Sequence, residues 1–393
     1  MAGQLTGIRV VEFLGLGPAP FGCLLLADLG AEVLTVTRPG QSTAAMVRNR
    51  SLLELDLKDP QSVAFVREVI DEADVVVESF RPGVVERLGL APEQLRERNP
   101  GLIVTRMTGW GQTGPLAPRA GHDINYIAIT GALDLARRPG LAPMPSANLV
   151  GDFGGGGMYL VIAVLSALVE RARTGTGTVI DVAIVDGTTY LTTMLHEYRN
   201  LGMWSDTPGT NRLDTGAPYY DSYETADGGY VAVGALEDKF FEQLADVIGL
   251  TPQERVGRED KANWPRLRER IAAKIRGRTR AEWTEIAERV DACIAPVLSL
   301  AEAGTHPQLA ARGVLRRTAG GRGWVPVLPI GYADAPVDGA ELLERWGFGH
   351  PTATFRRPAD AIYPEVSPPK EAGREPFGGA LAAEVGGVAG QGT

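Results

Sequence analysis

Between Arg9 and Met107, five short runs of β-branched and aliphatic residues alternate with stretches of helical character: Arg9–Phe13, Glu32–Thr37, 53–57, Val75–Glu78 and 102–107. Strands spaced by helices pair in parallel through crossovers, so this alternation predicts a doubly wound, Rossmann-like α/β sheet. The first unit is the clearest. A Gly/Pro loop over 14–20 leads into an apolar helix over 21–29, Gly30 stops it, and Glu32–Thr37 follows as the next strand. Further helices start near Pro60 and Pro92, where proline is tolerated because a first-turn N–H has no partner within the helix.

Beyond a polar loop over 109–120, Asn148-Leu149-Val150-Gly151-Asp152 precedes a long apolar helix that ends near 174–178. Asp152 is thereby read as standing just before that helix, in the place of an N-cap. The longest apolar run, 158–169, is too short to span a bilayer and reads as a buried helix. A strand over 179–185 and a helix over 188–201 complete a large domain, residues 1–200. After a glycine-bearing linker, a hairpin around Asp227-Gly228 opens a smaller α+β domain, residues 201–325. Residues 326–393 read as a return segment to the large domain and, from Phe377, a loose Gly/Ala-rich tail.

Composition narrows the function. Acidic residues outnumber basic ones, 48 to 39, and the net charge of −9 disfavours nucleic acid and anionic membranes as partners. The two cysteines, Cys23 and Cys293, form neither a disulfide framework nor a CxxC pair. The opening MAGQLTGIRVVEF lacks the basic-then-apolar pattern of a signal peptide, so a cytoplasmic location is expected.

Several segments carry chemistry. Gly15-Leu16-Gly17 starts like a dinucleotide fingerprint but has no third glycine, and the second strand ends on Arg38 where a ribose-binding acid would stand. Arginine there suits a phosphorylated ribose, as in NADP or coenzyme A, or else an ordinary solvated surface. Lys58, Arg81 and Arg87 also follow strands or short helices and join Arg38 as a candidate polyphosphate crevice. His122, one of four histidines, lies in a loop dense in hydrogen-bonding groups, and a second carboxylate such as Asp152 near it makes a usable acid/base pair. Asp152-Phe153-Gly154 and His196-Glu197 imitate kinase and zinc-protease motifs, but the partners of those motifs are missing, and no metal site is expected. The arginine-rich 264–283 reads as an amphipathic helix pair with solvated faces.

Taken together, these residues resemble the family III CoA-transferase superfamily, and within it the α-methylacyl-CoA racemases. The resemblance runs over most of 4–315, through Arg81-Pro82-Gly83-Val84, Met107 to Gly114, Gly216 to Asp221 and Ala295 to Leu298. The GHDINY (from Gly121) and GDFGGG (from Gly151) segments point to the racemase branch. The resemblance implies that His122 and Asp152 are the two acid/base groups, that Glu237 orients His122, and that Asp123 partners Asp152. It implies coenzyme A contacts at Arg38, at Leu55, Asp56, Leu57 and Lys58, at Ser79, Phe80 and Arg81, at Arg87, and at Gly121 and Tyr126. Ser79-Phe80 stands where Gly-Tyr is frequent. The resemblance further implies an interlocked homodimer with active sites between large and small domains, an acyl-CoA thioester as substrate, and no separate cofactor. From about Leu328 the sequence departs from the family's usual return segment and terminal helix.

The expected activity is interconversion of (R)- and (S)-2-methylacyl-CoA by removal and return of the α-proton through an enolate. Backbone N–H groups of a helix beginning after Asp152 are expected to hold the enolate oxygen. The alternatives are a CoA-transferase in which Asp152 is the nucleophile and a catalytically silent acyl-CoA binder.

Overall fold

The computed structural model describes residues 3–41, 46–318, 321, 323–330, 338–348 and 354–356. Its main sheet takes β1 (Arg9–Phe13), β2 (Glu32–Thr37), β3 (Ser51–Glu54), β4 (Val75–Glu78), β5 (Ile103–Thr108) and β6 (Val179–Ala183), all parallel. A three-stranded antiparallel sheet follows, formed by β7 (Tyr220–Glu224), β8 (Tyr230–Gly234) and β9 (Ile294–Pro296); then come a two-stranded ribbon, β10 (Leu315–Arg317) and β11 (Trp324–Pro326), and finally β12 (Thr354–Arg356). β12 returns to the main sheet and pairs antiparallel with β3, giving the order β12-β3-β2-β1-β4-β5-β6.

The main sheet is buried on both faces, which is why its strands read as almost unbroken aliphatic runs. Alternation along each strand divides the core. Val10, Val33, Val75 and Ile103 pack against Leu26 of the Pro18–Asp28 helix and against Leu160 and Val164 of the Tyr159–Thr174 helix. Val11, Leu34, Val76 and Val104 face the other way, onto Val66 and Ile70 of the Pro60–Asp71 helix and Leu342 and Leu343 of the Gly339–Arg345 helix. Glu12 interrupts this pattern: wholly buried on β1, its carboxylate pairs with buried Arg50 and accepts a bond from Thr35 Oγ1 at 2.6 Å.

A separate core forms where β7, β8 and β9 meet the Asp238–Ile248, Trp264–Ile275 and Arg280–Ala287 helices, around Phe241, Leu244, Leu267, Ile271 and Trp283. The Asp227-Gly228 turn closes the hairpin as the sequence indicates, with Gly228 at φ 74°. Buried Asp221 on β7 ties this unit to the loop after Ile129, accepting from Arg138 Nη2 at 2.8 Å while also pairing with Arg268.

Several elements depart from the sequence reading. The first helix begins at Pro18 rather than near 21, because Pro18 and Pro20 occupy first-turn positions that need no donor. β3 ends at Glu54, leaving Leu55 and Leu57 in the turn beyond it. The span 188–201 is two helices, Ile184–Leu191 and Thr193–Asn200, broken at Thr192. Asp152 is not an N-cap: it lies inside a π-helix, Leu149–Met158, that runs on into the α-helix Tyr159–Thr174. The combined 26 residues are long and apolar enough to cross a membrane by length and composition alone. This helix is not wholly buried, since Met158, Ile162 and Val169 are exposed while Leu160 and Val164 enter the core.

The return segment does carry a helix. Asp338 caps it by accepting from Ala340 N at 2.9 Å, and Leu342, Leu343 and Trp346 are buried. The Trp346 indole donates to Glu32 Oε2 at 2.8 Å beneath the Arg9 guanidinium. The tail expected to be loose lies outside the described residues.

Candidate active site

The carboxyl ends of β3, β2, β1 and β4 lie side by side, and each carries one of the loops singled out in the sequence. Strand order reverses at β1, the point where open α/β sheets form their ligand crevice. Arg38 follows β2, and Leu55 N donates to Thr37 O at 2.9 Å, drawing the Leu55–Lys58 turn alongside it. Asp56 Oδ1 tightens that turn by accepting from Lys58 N at 3.0 Å. After β4, buried Glu78 accepts from Phe80 N at 2.8 Å and pairs with Arg106, fixing the path of Ser79, Phe80 and Arg81. Arg38, Lys58, Arg81 and Arg87 are all exposed, and among the described residues none of them is held in an ion pair. Arg38, Lys58 and Arg81 thus stand as exposed charges in the segments that follow β2, β3 and β4, with Arg87 at the end of the short helix beyond.

The loop after β1 lies between the loop after β4 and Asp152. Gly15 packs so closely on Ser79 Oγ that a Cβ would collide with it. Gly17 has φ +69°, and a Cβ on it would stand 3.0 Å from Asp152 Oδ2. These two glycines let the backbone run between the β4 loop and the carboxylate.

His122 is the N-cap of the Asp123–Ile129 helix, its N–H donating to Asn125 Oδ1 at 3.1 Å. One turn on, Tyr126 is buried edge-on to Trp110 with centroids 4.7 Å apart, and its hydroxyl donates to Gly121 O at 2.5 Å. Burial and the Asp152 charge push the Tyr126 hydroxyl up, opposed by Arg81. His122, Asp123, Tyr126 and Asp152 thus share one neighbourhood.

Two contacts hold Asp152. Its backbone N–H donates to Asp123 Oδ1 at 2.6 Å, and its Oδ2 accepts from Asn148 Nδ2 at 3.1 Å. Asp123 therefore partners the Asp152 backbone as a hydrogen-bond acceptor. Burial raises the Asp152 carboxyl above the usual aspartate value; the Asn148 bond lowers it, the Asp123 charge raises it further, and His122 lowers it. A half-buried carboxyl so shifted is suited to exchanging a proton with a weak carbon acid.

The expected N–H donors do not lie where the sequence suggests. Because the π-helix starts at Leu149, the Asp152 N–H is committed to Asp123 and the Phe153 N–H to Asn148 O, at 3.3 Å. The helix N-terminus stands upstream of Asp152, so the enolate donor drawn from a helix beginning after it is corrected. Glu237 is exposed at the head of the Asp238–Ile248 helix, and among the described residues nothing joins it to His122. No metal-holding group of three His, Cys, Asp or Glu occurs among the described residues.

Asn148, Trp110 and the two close-packed glycines are site residues that the sequence reading left without roles. The available signal was spacing: Asn148 and Asp152, four apart, share a face once both lie on a helix. Asn148→Ala removes the one hydrogen bond that lowers the Asp152 carboxyl. The acid limb of the pH–rate profile for an Asp152-dependent reaction is then expected to move to higher pH, because the base is protonated sooner as pH falls. Profiles of kcat/KM for the two proteins check this; an unmoved or lowered limb counts against it.

A model of CoA-transferase family III matches residues 5–341. The α-methylacyl-CoA racemase of Mus musculus is 44% identical over 303 residues, covering 77% of this chain and 80% of that protein. The Homo sapiens α-methylacyl-CoA racemase is 42% identical over 311 residues, covering 79% and 81%. Among solved structures, a CAIB/BAIF family protein from Brucella suis superposes with a TM-score of 0.74 at 27% identity, covering 88% of this chain and 100% of that one.

Proposed function

The chain belongs to CoA-transferase family III, and from that membership we propose that it is a racemase of 2-methylacyl-CoA thioesters, with His122 and Asp152 as its acid/base pair. The observation that carries the reading is geometric: Asp123, next to His122 at the head of its helix, accepts from the Asp152 N–H at 2.6 Å, which brings the two segments together, and burial raises the Asp152 carboxyl there. The likeness to racemases at 42–44% identity supports the same chemistry.

In this reading the phosphates of coenzyme A lie along Arg38, Lys58, Arg81 and Arg87, and the thioester reaches the Asp152 side of the crevice. One member of the pair takes the α-proton, and the electrons of that C–H bond move into the thioester to give an enolate. The other member returns a proton to the opposite face of the planar carbon, and configuration inverts. Proton transfer of this kind draws on the two side chains alone, so no cofactor besides the substrate's own coenzyme A enters the proposal. Microscopic reversibility then requires each group to serve as acid for one enantiomer and base for the other.

A homodimer belongs to the proposal because Glu237 does not reach His122 within one chain. The exposed apolar residues Met158, Ile162, Tyr190, Leu191, Met194 and Leu201, on successive helices, support a large apolar contact with a second copy. Glu237 of that copy is then the group that orients His122.

Incubation of the purified protein with a single enantiomer of 2-methylacyl-CoA in D2O, without an acyl acceptor, tests the reading. Deuterium uptake at the α-carbon with loss of configuration is the expected result. Absence of exchange, with acyl transfer once a free carboxylate is supplied, would make Asp152 a nucleophile and the protein a transferase.

A further inference from the structure

Glu237 sits at the N-cap position of the Asp238–Ile248 helix, yet its side chain makes no cap hydrogen bond. An N-cap carboxylate ordinarily turns back onto the first N–H groups of its helix. Here the carboxylate is left free and exposed, so its direction depends on how its backbone is held. That backbone is anchored on both sides. Glu237 O accepts from Phe240 N at 3.1 Å and Phe241 N at 2.9 Å, and Leu236 N donates to Gly234 O at 2.9 Å.

Arg258 holds the same short segment from outside. Its Nη2 donates to Leu236 O at 2.9 Å and to Asp238 Oδ1 at 2.6 Å, and its Nη1 reaches Ala235 O at 3.4 Å. These are the two residues before Glu237 and the one after it. The guanidinium itself is fixed: it stacks over the rings of Tyr219 and Phe241, 4.8 and 4.7 Å from their centroids, pairs with Glu259 at 3.0 Å, and its side chain is only 11% exposed. A planar fork with several donors is suited to this task where a single ammonium is not.

From this arrangement we propose that Arg258 is a positioning residue for Glu237, setting the direction in which that carboxylate leaves the small domain. The proposal rests on the reading of Glu237 as the group that orients His122. It assigns Arg258 no contact with substrate.

The test is a double-mutant cycle on the full-length protein, following α-deuterium exchange of a 2-methylacyl-CoA. Arg258→Lys keeps a cation between the two rings but cannot span both carbonyls and Asp238. It is expected to lower kcat about tenfold with KM within about twofold of wild type. In a Glu237→Gln background the same substitution is expected to change kcat no further. A slow Glu237→Gln variant that falls a further tenfold on Arg258→Lys overturns the proposal alone, because Arg258 then acts independently of Glu237. Wild-type exchange by Glu237→Gln overturns the reading of Glu237 and the proposal with it. Should Arg258→Lys not fold, Asp238→Asn loosens the same grip from a side chain that is 91% exposed. That variant is expected to lower kcat about two- to threefold, again only when Glu237 is present; equal loss in both backgrounds overturns the proposal.

Discussion

Asp152→Asn is expected to slow α-hydrogen exchange of 2-methylacyl-CoA by about 10²- to 10⁴-fold, the range a positioned acid/base group contributes. The substitution preserves shape and keeps an oxygen able to accept from Asn148, so lost rate reports lost proton transfer. Stability is expected to move in the opposite direction. The carboxyl is raised in the folded protein chiefly by burial, so folding favours its protonated form. Its contribution to stability is present below the unfolded pKa and is lost as pH rises through the higher folded value, so at neutral pH the charge opposes folding. A neutral amide at this position should therefore leave the thermal midpoint unchanged or higher while the exchange rate collapses. Exchange within a few-fold of wild type, measured by mass spectrometry in D2O, would remove Asp152 from the reaction.

Arg50→Met is expected to destabilise the fold by about 3–5 kcal/mol, because it leaves the Glu12 carboxylate buried without its partner. Both side chains are fully shielded from solvent, and besides Arg50 the Glu12 carboxylate has hydrogen bonds with Thr35 and Cys23. The double variant Glu12→Met/Arg50→Met is expected to recover most of that loss, since it removes both charges together and fills the space with apolar atoms. Urea midpoints of wild type, single and double variants check the pair of expectations. A single variant as stable as wild type would mean that the carboxylate finds another partner.

Where burial on both faces decides structure, the sequence was easy to read. β1, β2 and β4 have the bounds read from their aliphatic runs, and the helices at Pro60 and Pro92 begin where proline indicates. β3 was harder because the aliphatic run continues past the ladder: Leu55 is still buried beyond the strand, so hydrophobicity could not mark the end. The Gly339–Arg345 helix is only seven residues long, and its burial comes from packing on distant strands, which no local pattern encodes. Arg38, Lys58 and Arg81 were legible as loop residues because they follow the aliphatic runs of β2, β3 and β4, and Arg87 ends the short helix beyond them. Asp152 was misjudged because a π-helix has no short-range signature that separates it from a loop leading to an α-helix. In the protein, Gly155, Gly156 and Gly157 are buried against neighbouring helices. Glu237, which the resemblance relates to His122, is exposed and makes no contact with it among the described residues.

The return of the chain to the main sheet has a consequence for how the protein is made. β3 is laid down near residue 51, but the strand that covers its free edge is drawn from residues 354–356, and the helix that seals the apolar surface beside it from 339–345. During synthesis some three hundred residues must leave the ribosome before that edge is closed. Until then the nascent protein carries an unpaired strand edge and an open apolar face, the two features that recruit wrong partners. Ribosome-bound chains truncated ahead of residue 338 should accordingly depend on chaperones to a degree that the finished protein does not.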